Sequence, residues 1–219
     1  MVRESKTAKK QRAAAIVQAL KELYPSAECA LQYEGEPWRL LVMGRLSAQC
    51  TDARVNIVCR DLFARFPSPE VMANAPLEEI EEIVRPCGLY RTKAANIKDA
   101  CARLVDVYGG VLPDDMDELL TFPGVGRKIA NLLLGDIYHR PAIVADTHCI
   151  RISGRLGLVP AGCKDAQKVE RALVPIIAPE EQSDFCHRIV WFGREVCAAH
   201  SPKCTDCPLG ELCPSKGKC

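Results

Sequence analysis

The sequence predicts an all-α protein, on three observations. Apolar residues recur at helical spacing almost throughout: Ala13, Ile16, Val17, Leu20 and Leu23 draw one stripe, and Ile97, Ala100, Leu104 and Val107 draw another. Alternation of the strand type is hard to find. Cap and break residues fall between the periodic stretches: Ser68-Pro69-Glu70 and Asp114 to Glu118 read as helix starts, and Gly88, Gly109-Gly110 and Pro123-Gly124 read as punctuation. The expectation is about ten short helices joined by compact loops, without internal repeats or low-complexity tracts.

Length and composition agree with a folded chain. At 219 residues, 48% hydrophobic and 26% charged, it can bury roughly 70–75% of its unfolded surface and fill one large or two small domains. Fibrous and disordered classes are excluded. No apolar run approaches the roughly 18 to 20 residues of a membrane span, and the N-terminus lacks the apolar core and cleavage site of a signal peptide. With 29 Lys+Arg against 28 Asp+Glu the net charge is only +1, so any nucleic-acid partner must be met by a local basic surface. Residues 1 to 8 form a basic arm expected to be disordered, as are the few residues after Cys213.

Cysteine is over-represented, with 13 in the chain. The odd number argues against a secreted disulfide framework. Nine, among them Cys29, Cys50, Cys59, Cys87, Cys149 and Cys219, are scattered and read as reduced, mostly buried thiols. The other four form Cys197-x6-Cys204-x2-Cys207-x5-Cys213. Crowding of this kind in an intracellular chain points to a metal site, either tetrahedral zinc or a cubane iron–sulfur cluster. Zinc ribbons usually carry two Cys-x2-Cys knuckles and here there is one, which favours the cluster. His200 lies inside the first interval but the four thiols already complete a ligand set.

Thr121-Phe122-Pro123-Gly124-Val125-Gly126-Arg127-Lys128 separates an acidic-capped helix, expected at Asp114 to Leu120, from a helix expected at Ile129 to Ile137. Proline and two glycines make a tight hairpin, and the following helix N-terminus offers unpaired N–H groups suited to phosphate. On Gly-x-Gly alone an ordinary helical connection is the simpler reading. Lys128 adds chemistry: beside Arg127 and at the positive end of the helix dipole its ammonium form is disfavoured, and a lysine of that kind can act as a nucleophile.

In Val144-Ala145-Asp146-Thr147-His148-Cys149-Ile150-Arg151 an apolar run ends at an aspartate. Asp146 reads as an N-cap, and a scaffold-held carboxylate of this kind could also serve a nearby amine. His148 reads as a structural hydrogen-bonding group.

These three elements, in this order, resemble the endonuclease III family of DNA glycosylase/AP lyases in the helix–hairpin–helix superfamily. The family motif Leu-Pro-Gly-Val-Gly-Arg-Lys is followed eighteen residues after its lysine by the aspartate of Val-Asp-Thr-His, the separation of Lys128 and Asp146. The four-cysteine spacing matches the family's [4Fe-4S] site. Leu46-Ser47-Ala48-Gln49-Cys50-Thr51-Asp52 and Gly88-Leu89-Tyr90-Arg91-Thr92-Lys93-Ala94 agree as well, so the resemblance covers residues 10 to 213. Phe122, where the family has leucine, and Gly44-Arg45, in a helix normally apolar there, are departures; glycine in mid-helix costs about 1 kcal/mol relative to alanine. Arg45 is open to a phosphate or lesion contact or to plain solvation.

The resemblance implies a two-lobed helical fold with a DNA cleft. Residues 30–140 would form a six-helix lobe with the hairpin, and residues 1–29 plus 141–219 a lobe with the iron–sulfur loop at Cys197, Cys204, Cys207 and Cys213. It implies base excision repair of damaged double-stranded DNA by a monomer. Oxidised pyrimidines would be removed and the abasic site cut by β-elimination, with Lys128 as nucleophile and Asp146, facing it across the lobe junction, as its proton acceptor. Pro123, Gly124, Val125, Gly126 and Arg127 would hold a phosphate. Gln49, at the end of its helix, would fill the gap left by the flipped nucleotide and Leu89 would wedge beside the opposite base; without the resemblance they read as a solvated glutamine and a core leucine. Arg3, Lys6, Lys9, Lys10 and Arg12, with Arg91, Lys93, Arg127 and Lys203 on the cleft, would supply local positive charge. The cluster would be structural. A cytoplasmic, nucleoid-associated location follows if the source is bacterial. Two rivals stand beside this reading: an adenine-type mispair glycosylase, against which the absence of any acidic residue between Trp38 and Gln49 argues, and a non-catalytic, redox-sensing DNA-binding protein, which would not need Lys128 and Asp146.

Overall fold

The computed structural model describes residues 4–160 and 162–218. Arg3 and Cys219 therefore lie outside the described residues. Among the described residues there is no strand, and the chain runs through eleven α-helices: α1 (Lys6–Leu23), α2 (Pro37–Leu46), α3 (Asp52–Arg65), α4 (Pro69–Asn74), α5 (Leu77–Val84), α6 (Tyr90–Tyr108), α7 (Met116–Leu119), α8 (Arg127–Asp136), α9 (Thr147–Arg155), α10 (Ala166–Leu173) and α11 (Gln182–Glu195). Three short 3₁₀ turns, at Arg85–Cys87, Pro179–Glu181 and Gly210–Leu212, accompany them. No helix among the described residues is long and apolar enough to cross a membrane.

Two compact units emerge, one of residues 1–28 with 139–219 and the other of residues 29–138. The second holds seven α-helices rather than the six expected, and the helix expected at Asp114 to Leu120 is the single turn Met116–Leu119. Its long helix α6 packs against α2, α4 and α5. Leu40, Leu41, Met43 and Leu46 of α2, Leu62 of α3, Met72 of α4 and Ile80 of α5 are fully buried, and burial of each such side chain stabilises the fold by about 1.5–3 kcal/mol. Ser68 caps α4 through the N–H of Val71, as its sequence suggests. Both departures from the family pattern find partners here. A Cβ on Gly44 would stand 3.2 Å from Ile129 Cγ2, so the missing side chain lets α8 lie close on α2. Phe122 stacks on Tyr108 with ring centroids 5.3 Å apart, a larger apolar plate than leucine would offer.

In the first unit α11 packs against α1 and α9, and α10 packs against α9. The core comes from Ala13, Ile16 and Leu20 of α1, Ile152 of α9, Leu173 of α10 and Phe185, Ile189 and Phe192 of α11. A Cβ on Gly193 would meet His148 Cδ2 at 2.6 Å and Ile152 Cδ1 at 2.8 Å, so α11 reaches α9 only because that position is glycine. Lys6, Thr7 and Ala8, expected in the basic arm, already belong to α1, with the Ser5 hydroxyl accepting from the Ala8 N–H at 3.1 Å. Beyond Cys213 the chain continues in turns, and Lys216 pairs with Glu211 at 2.9 Å. The predicted stripes hold except at their ends: Leu23 and Val107, each in the last turn of its helix, are 41% and 57% exposed.

Candidate active site and cysteine loop

The hairpin is built by a cap, a turn and a second cap. Asp115 accepts from the N–H groups of Asp117 and Glu118 and starts α7. The Val125 N–H donates to Phe122 O at 3.0 Å across Pro123-Gly124, with Gly124 at φ +75°, the pattern of a type II turn. Gly126 then caps α8 with extended backbone and no side-chain acceptor. The helix thus starts at Arg127, two residues earlier than the apolar pattern indicated, and its first two residues, Arg127 and Lys128, are both exposed. Lys128 thus presents its amine at the surface, in the first turn behind a glycine-capped N-terminus.

Arg45 supports this hairpin rather than standing in solvent. Its Nε donates to Asn96 Oδ1 at 2.8 Å, and burial lowers the pKa of its half-buried guanidinium. A Cβ on Gly124 would lie 2.5 Å from that Nε and 2.7 Å from Asn96 Oδ1. Gly124→Ala should therefore destabilise the protein by about 2–4 kcal/mol, combining left-handed backbone strain with overpacking. Gly126 has nothing within 4 Å of its would-be Cβ, and Gly126→Ala should cost at most about 1 kcal/mol through the weaker cap. Denaturant unfolding of the two variants checks the contrast.

Gln49 and Leu89 share an unusual backbone. Gln49 lies in a turn three residues beyond Leu46 rather than at the helix end, at φ 54°, and Leu89 precedes α6 at φ 48°. Both are exposed, Leu89 to 60%, so it is not a core leucine. Left-handed conformations in such residues cost about 1–3 kcal/mol and persist only where the surroundings enforce them. Lys93 corrects an expectation: it is not on a DNA-facing surface but fully buried. Its ammonium donates to Leu46 O at 2.9 Å, Ala48 O at 2.6 Å and Cys87 O at 2.8 Å. Desolvation lowers its pKa against the opposing pull of the neighbouring Cys50 and Cys87 thiols. The sequence does contain the signal, because Lys93 falls on the stripe of Ile97, Ala100 and Leu104 at helical spacing. Arg91 is exposed.

In the other unit Asp146 occupies the N-cap of α9 and is half-buried. Its Oδ1 accepts from the Cys149 N–H at 2.7 Å, while His148 Nδ1 lies 3.4 Å from Oδ2. The carboxylate is thus oriented by a strong backbone bond to one oxygen and a long histidine contact to the other. His148 packs against Gly193 at the α9–α11 contact, which suits a structural histidine.

Cys197, Cys204, Cys207 and Cys213 line one pocket with Arg155, Lys203 and Lys216, and none is in a disulfide. Burial pushes the Cys207 thiol up, with the other three thiols adding to that shift. Among the described residues no group of three or more His, Cys, Asp or Glu side chains closes on a point suited to a single metal ion. Cations hold the loop. Arg155 donates to Ala198 O at 2.7 Å and Ala199 O at 3.0 Å and reaches Cys197 Sγ at 3.3 Å. Arg151 donates to Cys197 O at 3.1 Å. Arg12, expected among the DNA-binding cations, instead donates to Leu156 O at 2.6 Å and Leu212 O at 3.2 Å and pairs with Glu4 at 2.8 Å. Arginine spacing alone gives no hint of this role. Lys203 and His200 are exposed on the same loop.

Comparison with known proteins places the chain among DNA repair enzymes. The family described as HhH-GPD superfamily base excision DNA repair protein matches residues 42–179. Endonuclease III of a Synechocystis strain is 46% identical over 208 residues, covering 94% of each chain. Endonuclease III of Bacillus subtilis is 44% identical over 193 residues, covering 88% of this chain and 87% of its own. A solved non-covalent endonuclease III–DNA complex superposes with a TM-score of 0.89 at 44% identity, covering 95% of this chain and 97% of that one. A trapped endonuclease III–DNA covalent intermediate superposes equally well. Alignment across nearly the whole length, at this identity and with this fold, has one consequence: the chain belongs to the endonuclease III family of the HhH-GPD superfamily of base excision DNA repair proteins.

Proposed function

We propose that this protein removes oxidised pyrimidines from damaged duplex DNA and cuts the resulting abasic site, with Lys128 as the nucleophile. Bifunctional glycosylase and AP lyase action in base excision repair follows from its family. The observation that carries the assignment of the nucleophile is the exposed amine of Lys128 in the first turn of α8, behind the Gly126 cap.

The target base is extruded, since its glycosidic bond is unreachable within the stack. N–H groups around Gly124, Val125 and Gly126, with Pro123 shaping the turn and Arg127 adding charge, hold a phosphate and fix register without reading sequence. Gln49 fills the gap the extruded nucleotide leaves and Leu89 wedges beside the opposite base, apolar wedging being a known way to stabilise a kink. The lone pair of the Lys128 amine attacks C1′ as the bond from C1′ to the base breaks, its electron pair leaving with the base, which takes up a proton. The resulting ammonium gives up one proton, the nitrogen lone pair opens the sugar ring with protonation of O4′, and the protonated imine so formed acidifies C2′, whose proton loss expels the 3′ phosphate. Asp146 accepts a proton from the lysine and offsets positive charge on the sugar. A monomer, acting where the chromosomal DNA lies, completes this reading.

Four thiols around one pocket, with Arg155 against Cys197 and Arg12 holding Leu212 beside Cys213, fit a thiolate-bound [4Fe-4S] cluster. When bound, the cluster supplies iron–thiolate anchors that fix the loop. Lys203 is then presented to phosphate from that loop. Purified protein should contain iron rather than zinc and absorb broadly near about 400 nm. Cys204→Ser should lose colour and stability and weaken DNA binding more than it changes chemistry on bound DNA. A colourless, zinc-loaded and fully active preparation would show the assignment to be wrong.

The function is tested by incubating the protein with duplexes carrying thymine glycol, dihydrouracil, an abasic site or adenine in a mispair. Cleavage of the first three and not the fourth is the expected result. Excision of mispaired adenine alone would support the adenine-type rival, and no cleavage of any duplex would support a purely DNA-binding protein.

A further inference from the structure

Lys93 is a buried cation with no place in the chemistry above, and its three bonds join two separate stretches of backbone. Leu46 O and Ala48 O belong to the end of α2 and the turn after it, and Cys87 O ends the 3₁₀ turn Arg85–Cys87. An ammonium has three protons and here meets three carbonyls. One is the last helical carbonyl of α2, at the negative end of that helix, where a cation is favoured. The residues that follow the two clamped stretches are Gln49, one after Ala48, and Leu89, two after Cys87. Both are exposed and both are held at positive φ. Nothing in the lysine's own helix requires a charge, since its neighbours on that face, Ile97, Ala100 and Leu104, are buried and apolar. Desolvating an ammonium is expensive unless each proton is matched, so retaining one here implies that the carbonyls it gathers need fixing.

We propose that Lys93 is the positioning residue for base extrusion, tying the turn of Gln49 and the turn of Leu89 into one preformed pair of probes. The proposal rests on the reading of Gln49 and Leu89 as the residues that enter the duplex. Two strained residues on independently mobile loops would have to be ordered during each encounter. With both loops bonded to one ammonium, that ordering is already present in the free protein, and the binding free energy goes into opening the stack. Lys93 touches neither the base nor the sugar, so it acts through the two residues it places.

The test compares two reactions of each variant. Excision of thymine glycol from a duplex requires opening of the stack, whereas borohydride trapping on a single-stranded abasic oligonucleotide does not. Relative to the unaltered protein, Lys93→Met should lower the ratio of excision to trapping by about tenfold or more, equivalent to losing one modest free-energy increment in stack opening. It should also abolish the fluorescence rise of a 2-aminopurine placed opposite the lesion. In a Gln49→Ala/Leu89→Ala background, which must itself be slow on the duplex, Lys93→Met should change the ratio by no more than about twofold, the non-additivity of residues acting as one unit. Should Lys93→Met not fold, Lys93→Gln, which keeps two donors, is read by the same ratio. Equal loss of both reactions, or additive effects in the cycle, would overturn the proposal and leave Lys93 a fold element. If Gln49→Ala/Leu89→Ala instead excises at the normal rate, the reading of the probes themselves fails, whatever Lys93 does.

Discussion

Borohydride added while the protein acts on a duplex with an abasic site should leave a covalent protein–DNA adduct on Lys128, and Lys128→Gln should reduce that adduct to background. The imine formed by lysine and C1′ is the species borohydride reduces, so trapping reports the nucleophile directly. Lys128 is exposed at the start of α8, so the substitution removes an amine without opening a cavity. A glutamine side chain there leaves the Pro123-Gly124 turn, the Gly126 cap and the Arg45–Asn96 prop intact. DNA binding should therefore persist within about twofold, the change expected from removing one exposed charge. Mass spectrometry of the digested adduct places the bond. Lys93, another amine of the same unit, is excluded on geometry, since all three of its protons are engaged by carbonyls and it is fully buried. Undiminished adduct in the Lys128→Gln protein would mean that a different amine attacks.

Much of this architecture can be read from local sequence, because helices advertise themselves by spacing and caps. The stripes of α1 and α6, the Ser68 cap and the glycine stop at Gly109 are properties of short windows, and the structure carries each of them. What escapes a window is tertiary partnership. Gly44 looks like a defect in α2 until Ile129, far along the chain, is seen against it. Arg45 looks solvated until Gly124 and Asn96 are found beneath it. Phe122 looks like a departure until Tyr108 is stacked on it. Arg12 and Lys93 read as surface charge in the sequence, and both are bound to carbonyls instead. Only for Lys93 does the stripe carry a warning, because a lysine on the apolar face of a buried helix must find acceptors. The starts of α7 and α8 differ from expectation for another local reason: Asp115 rather than Asp114 caps the first, and Gly126 caps the second so that it starts two residues before its apolar residues begin.

Asp146→Asn should slow base excision by about a hundredfold or more, the range assigned to positioned acid–base groups, with almost no change in stability. The separation of the two effects follows from how the carboxylate is held. Its Oδ1 accepts the Cys149 N–H at 2.7 Å, and an asparagine Oδ1 accepts the same bond, so the cap of α9 survives. The substitution removes the negative charge, and with it the capacity to take a proton from an amine or to offset a cationic sugar. Asp146→Ala removes the cap as well, and should add about 1 kcal/mol of destabilisation to a similar loss of rate. His148→Ala provides the contrast, because that ring packs on the α9–α11 contact and its Nδ1 stands 3.4 Å from the carboxylate; its effect should fall mainly on stability. Single-turnover excision rates and denaturant unfolding of the three variants decide the matter. Should Asp146→Asn excise at the normal rate, Asp146 is a helix cap alone, and the proton leaving Lys128 must go to another acceptor or to water.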